Sequence, residues 1–125
     1  MLGFGTIERE RILAEDELFI LAGDKYPISP GHSLVIVKRV VARFQDLTSD
    51  EKMRLLTWVE WCIAHLESSL KPKPDGFNVG LNDGTAAGQT VPQLHVHIIP
   101  RYHGDVADPR GGVRLVIPSK AKYWT

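Results

Sequence analysis

A chain of 125 residues with 43% hydrophobic side chains fits one domain with a buried core. Its 15 basic residues balance 15 acidic ones, so no overall field points to nucleic acid or a membrane surface as partner. The single cysteine, Cys62, excludes an internal disulfide and fits a reducing compartment.

The N-terminus, Met1-Leu2-Gly3-Phe4-Gly5-Thr6, lacks a charged leader region and a long apolar run. It predicts no signal peptide or transmembrane segment, and a cytoplasmic protein is expected. Glu10–Glu15 and Glu17–Ala22 are short β-prone runs that read as a hairpin around Ala14-Glu15-Asp16-Glu17. Gly23 to His32 is a loop by its Gly, Pro and Asp content, and Ser33–Lys38 is apolar enough for a central strand. Thr48-Ser49-Asp50-Glu51 is a capping box that predicts a helix to about Leu70, with Met53, Leu56, Val59, Ile63 and Leu66 near helical spacing.

Lys71 to Gly76 ends that helix, Phe77–Leu81 is a fourth strand, and Asn82 to Gly88 is a loop of small residues. Gln93–Pro100 alternates polar and apolar residues, the period of a half-buried strand. Leu94, Val96 and Ile98 then face a core, while Gln93, His95 and His97 share the other face. Strands, one long helix and more strands predict an α+β domain with an antiparallel sheet. The core spans about residues 10–101 and the extension 102–125.

Two imidazoles on one strand face can do chemistry. A neutral imidazole can attack an electrophile while its neighbour donates to it or orients it. The preceding Gly, Thr, Asn and Gln loop offers backbone N–H groups and side-chain donors that suit phosphate oxygens. Together they suggest attack on phosphorus, with a proton relayed to the leaving group.

The stretch Gly88-Gln89-Thr90-Val91-Pro92-Gln93-Leu94-His95-Val96-His97-Ile98-Ile99-Pro100-Arg101 resembles the signature of the histidine triad (HIT) family. That signature is Gly-Gln-Ser/Thr-Val-x-His-φ-His-φ-His-φ-φ, with φ apolar. Asn82-Asp83-Gly84 and Ser29-Pro30-Gly31-His32 also have counterparts there, and the likeness is strongest to the fragile-histidine-triad and diadenosine-polyphosphate-hydrolase branch.

The resemblance implies a five-stranded antiparallel sheet with one long helix, commonly paired into a homodimer. It implies an enzyme acting on nucleoside phosphates, adenosine above all, through a nucleotidyl-histidine. By register His95 is the nucleophile and His97 the third histidine. His32 supports the triad, Asp24 meets the ribose, and Asn82, Gln89 and Thr90 lie on the phosphate side. No cofactor is implied as required, though a divalent cation such as Mg²⁺ can accompany a polyphosphate. The departure is Gln93, which stands where the family has its first histidine. An amide donates and accepts hydrogen bonds but takes no proton near neutral pH.

Other readings compete. Gln93 could leave a nucleotide-binding module with little or no turnover. The His pair could bind a metal with His32 or His103, but the third ligand is unforced and the loop favours phosphate, so no metal site is assigned. His65 receives no role, and Trp58 and Trp61 read as packing groups. Arg110 and Arg114, with Arg101, are candidates for distal phosphates because guanidinium suits phosphate geometry.

Overall fold

The computed structural model describes residues 3–125; the N-terminal reading of Met1 and Leu2 lies outside the described residues. Five strands, β1 (Ile12–Glu15), β2 (Phe19–Gly23), β3 (Ser33–Val37), β4 (Gly76–Gly80) and β5 (His95–Arg101), form one antiparallel sheet in the order β1-β2-β3-β5-β4. One helix of 21 residues, α1 (Ser49–Ser69), packs on one face. This is the α+β architecture expected from the order of elements.

The first hairpin is shorter than its sequence suggests. Arg9–Arg11 forms a 3-10 turn instead of strand, with the Arg11 N–H donating to Glu8 O. The turn into β2 is set by Asp16, whose Oδ1 accepts from the N–H groups of Leu18 and Phe19 at 2.8 Å each. Its Oδ2 accepts from Arg54 Nη1 and Trp58 Nε1, which ties the turn to the helix.

The helix starts where the capping box places it. Thr48 Oγ1 accepts from Glu51 N, and Glu51 Oε1 accepts from Thr48 N. Arg39 adds two bonds to the same carboxylate. The buried stripe differs from the expected one. Leu55, Cys62 and Leu66 are buried, with Trp58, Val59, Ile63 and Leu70 packed beside them, whereas Met53 and Leu56 are each 71% exposed. At 3.6 residues per turn, a stripe through 55, 59, 62 and 66 leaves 53 and 56 on its far flank. Burial pushes the Cys62 thiol up to about 11, so it is inert as a nucleophile at neutral pH.

The main core joins this stripe to Phe19, Leu21, Val35, Val37, Leu94, Val96 and Ile98. Leu94, Val96 and Ile98 thus face inward as the alternation predicts. On the opposite face Ala22, Leu34 and Ile36 form a smaller cluster with Phe4, Ile7 and Ile20. The tail folds into two 3-10 turns, Gly112–Val116 and Pro118–Lys120. Among the described residues no helix is long and apolar enough to cross a membrane.

Candidate active site

The histidines enter the site by strand register. β5 pairs with β3 so that His95 lies opposite Ile36 and His97 opposite Leu34, while β4 sets Gly80 against His97. Alternation sends both imidazoles to the face away from the helix. Their ring centroids are 5.3 Å apart. His32 reaches His97 from the residue just before β3, at the end of a loop clamped by the Asp24 N–H donating to His32 O at 2.9 Å.

A chain of hydrogen bonds assigns the protons. The Ile28 N–H donates to His32 Nδ1 at 3.2 Å, so that nitrogen is the acceptor and His32 Nε2 carries the hydrogen. His32 Nε2 lies 3.0 Å from His97 Nδ1 and donates to it. His97 is then left with its proton on Nε2. His95 Nδ1 lies 2.8 Å from the carbonyl oxygen of Gln93, which can only accept, so His95 holds its proton there. The Nε2 lone pair of His95 is consequently free, while His97 offers an N–H. A free imidazole lone pair and an N–H donor stand side by side.

Burial weighs against a charge on two of these rings, His32 and His97. Burial pushes His32 below the ordinary histidine range, and the Asp24 carboxylate only partly offsets it. His97 is lowered as well, by burial first and then by His95 and His32, again against the pull of Asp24. Asp24 is mostly buried, with its Oδ2 3.3 Å from His32 Nε2 and 3.8 Å from His97 Nδ1.

Those three residues converge closely enough to raise the question of a metal. The tautomers argue against it. A metal-bound imidazole normally donates its other ring N–H to an acceptor, yet His32 Nδ1 faces a backbone donor. The donor set fits a hydrogen-bond chain better than a cation.

The remaining predicted residues divide into open and committed groups. Asp24, His32, Asn82 and His97 line a cavity of about 980 Å³, with Arg101 and Asn78 further along it. Thr90 is exposed. Gln89 is buried and spends its side chain on the loop, accepting from Gly84 N and donating to the carbonyls of Ala42 and Val91. It shapes the loop from within. Gln93 precedes β5, which begins at His95, and its buried amide meets the backbone of Phe4, the residue whose ring packs on His95.

The arginines have partners of their own, Arg101 within the cavity lining and Arg110 and Arg114 in the tail. Arg101 pairs with Asp105 and Asn78. Arg110 pairs with Asp108 and lies over Trp124, and Arg114 donates to the Ala121 and Lys120 carbonyls. His103 stands outside the site, its backbone N–H held by Asp75. Sequence reasoning missed Phe4, whose ring meets His95 edge-on at 4.9 Å. No periodicity marks that segment; only its aromatic-glycine pairing distinguishes it.

The HIT domain pattern matches residues 7–104. The chain belongs to the HIT domain family. Among relatives of this HIT protein is "AP-4-A phosphorylase" of Mycobacterium tuberculosis, 37% identical over 99 residues, covering 78% of this chain and 50% of that one. Another is "Bis(5'-nucleosyl)-tetraphosphatase [asymmetrical]" of Schizosaccharomyces pombe, 45% identical over 82 residues, covering 66% and 44%. The chain thus spans about half the length of these curated relatives. The solved NitFhit protein of C. elegans superposes with a TM-score of 0.77 at 31% identity, over 97% of this HIT chain and 28% of that one.

Proposed function

We propose that this HIT protein is a nucleotidyl hydrolase or transferase that cleaves nucleoside phosphates at the α-phosphorus, with His95 as the covalent nucleophile. Dinucleoside polyphosphates and nucleoside phosphoramidates, adenosine-bearing above all, are the substrate classes. One observation carries the reading: the bond from His95 Nδ1–H to Gln93 O leaves Nε2 with a free lone pair beside the N–H of His97. The two curated relatives, named as a phosphorylase and a tetraphosphatase, support it.

His95 Nε2 forms a bond to the α-phosphorus as the bond to the leaving oxygen or nitrogen breaks. The leaving atom takes the electron pair, and a leaving nitrogen also takes a proton from solvent. Because Nδ1 keeps its hydrogen, the nucleotidylated ring is positively charged, and the Gln93 carbonyl faces that charge. Water or another acceptor then attacks phosphorus, the P–N bond returns its pair to Nε2, and the acceptor's proton is released. His97 Nε2–H is the donor for a phosphoryl oxygen or the leaving group. Asp24 takes the ribose hydroxyls, and Asn82, Thr90 and the loop shaped by Gln89 meet the phosphates. No cofactor is required; Mg²⁺ enters only with a polyphosphate.

The β4 edge is unpaired in the sheet order and carries the partly exposed Val79, so a second copy pairing there would continue the sheet. We read the protein as a homodimer of the cytoplasm with small-molecule partners.

A second reading, binding without turnover, is favoured by Gln93, whose amide is spent on the backbone and relays no proton. Turnover of diadenosine tetraphosphate and an adenosine phosphoramidate, wild type beside His95→Ala, separates the two. Release of AMP by the wild type alone upholds the enzyme; AMP binding by both proteins without release leaves the binding module.

A further inference from the structure

Gln93 is tied to its surroundings at three points. Its side chain is 8% exposed, Nε2 donates to Val37 O at 2.6 Å, and Oε1 accepts from the Phe4 N–H at 2.9 Å. Gly3 packs directly on that amide with φ +95°, and a Cβ at this position would collide with Gln93 Oε1. The result is a short strap, Gly3 and Phe4, held across the end of β3. From its backbone, Gln93 O accepts the Nδ1 proton of His95 at 2.8 Å.

The strap carries Phe4 to the same imidazole. The two rings meet edge to face, with centroids 4.9 Å apart and planes at 80°. Phe4 is itself seated on the cluster of Ala22, Leu34 and Ile36. His95 is thus held twice through one residue, once by the Gln93 carbonyl and once by the aromatic ring that the Gln93 amide retains.

We propose that Gln93, with Gly3 and Phe4, is a positioning device that fixes the ring orientation and tautomer of His95; this rests on the reading of His95 as nucleophile. Rotation about the outer bond of a histidine has a broad, roughly two-fold profile, so one hydrogen bond does not by itself exclude a flipped ring. A flip would turn the free lone pair away from the phosphorus. The Phe4 edge restricts that rotation, and orientation of this kind is where misplacement by an ångström costs rate. The amide suits the task because the strap needs one donor and one acceptor on the same side chain at every pH. Imidazole offers both only while it is neutral.

The test uses the full chain with Gly3→Ala, Phe4→Ala and the conservative Phe4→Tyr. Long-range ¹H–¹⁵N NMR reads the His95 tautomer, and steady-state rates on diadenosine tetraphosphate give kcat and KM separately. Gly3→Ala and Phe4→Ala are expected to mix the two His95 tautomers and lower kcat by about tenfold with a smaller change in KM. Phe4→Tyr should restore both readouts. An unchanged His95 tautomer in both strap variants overturns the proposal, as does an effect confined to KM, which would make Phe4 a substrate contact. If the wild type releases no AMP, the enzyme reading fails, while the NMR measurement still decides whether the strap orients His95.

Discussion

The two faces of the sheet are built from alternate residues of the same strands, yet they are closed in different ways. The face with Phe19, Leu21, Val35, Val96 and Ile98 lies under a 21-residue helix and excludes water. The face with Ile36, His95 and His97 is covered by a few residues around Phe4 and Ile7 and opens into the cavity beside His97. Side chains on the first face make contacts that any apolar group of similar volume could make. On the second, each ring is oriented by a named donor or acceptor. Stability and chemistry are therefore separable by parity along β5.

The largest effect that would break this separation is at His95. His95→Ala should lower turnover of diadenosine tetraphosphate at least about a thousandfold. Its melting temperature should move little, because the ring is only half-buried. A rate within tenfold of wild type would remove His95 from the chemistry. Three residues along β5, on the opposite face, the balance reverses. Ile98→Ala, at a fully buried site, should cost about 2–5 kcal/mol in urea unfolding while leaving kcat of the folded fraction near wild type.

The separation was legible in the sequence wherever period carried it. Leu94, Val96 and Ile98 against His95 and His97 could be read from alternation, and the helix start from Thr48 and Glu51. Contacts set by tertiary closure could not. Nothing local says that the Gln93 amide bonds Val37 O and the Phe4 N–H, that the Gln89 amide turns inward to three backbone groups, or that Phe4 returns to His95 from across the sheet. The helix face is legible in part: Val59, Ile63 and Leu66 lie in or against the core as their spacing suggests, whereas Met53 and Leu56 are apolar but the facing strands select Leu55 and Cys62. Arg110 and Arg114 looked available for phosphate until the tail's own Asp108, Trp124 and backbone carbonyls engaged them.

Acid sharpens the comparison from the helix side. The Arg39 guanidinium, with the Thr48 bonds, outweighs burial and holds the Glu51 carboxyl down to about 2. At Asp16 burial pushes upward, but Arg54, the Leu18 and Phe19 N–H groups and Trp58 together bring it to about 2. Both values lie below the unfolded range, so each carboxylate adds stability that is full above about pH 4.5 and lost as pH falls toward 2. The contribution is about 2 kcal/mol each. Glu51→Gln should lower the unfolding free energy by about that amount at pH 7, and the gap should close near pH 2. A constant gap across that window would mean the charge is irrelevant.

The smallest effect concerns the outer flank of the helix. Met53→Gln and Leu56→Gln replace side chains that are 71% exposed and absent from the core cluster, so each should change stability by no more than about 0.5 kcal/mol. Leu55→Ala, one position from Leu56 but buried, should cost about 2–5 kcal/mol. Adjacent residues with effects several-fold apart would locate the buried stripe by thermodynamics alone. Equal losses at 55 and 56 would mean that the outer flank is covered in solution, and a loss at Leu56 that grows with protein concentration would assign that cover to a second copy of the chain, because only an associating surface makes stability depend on protomer concentration.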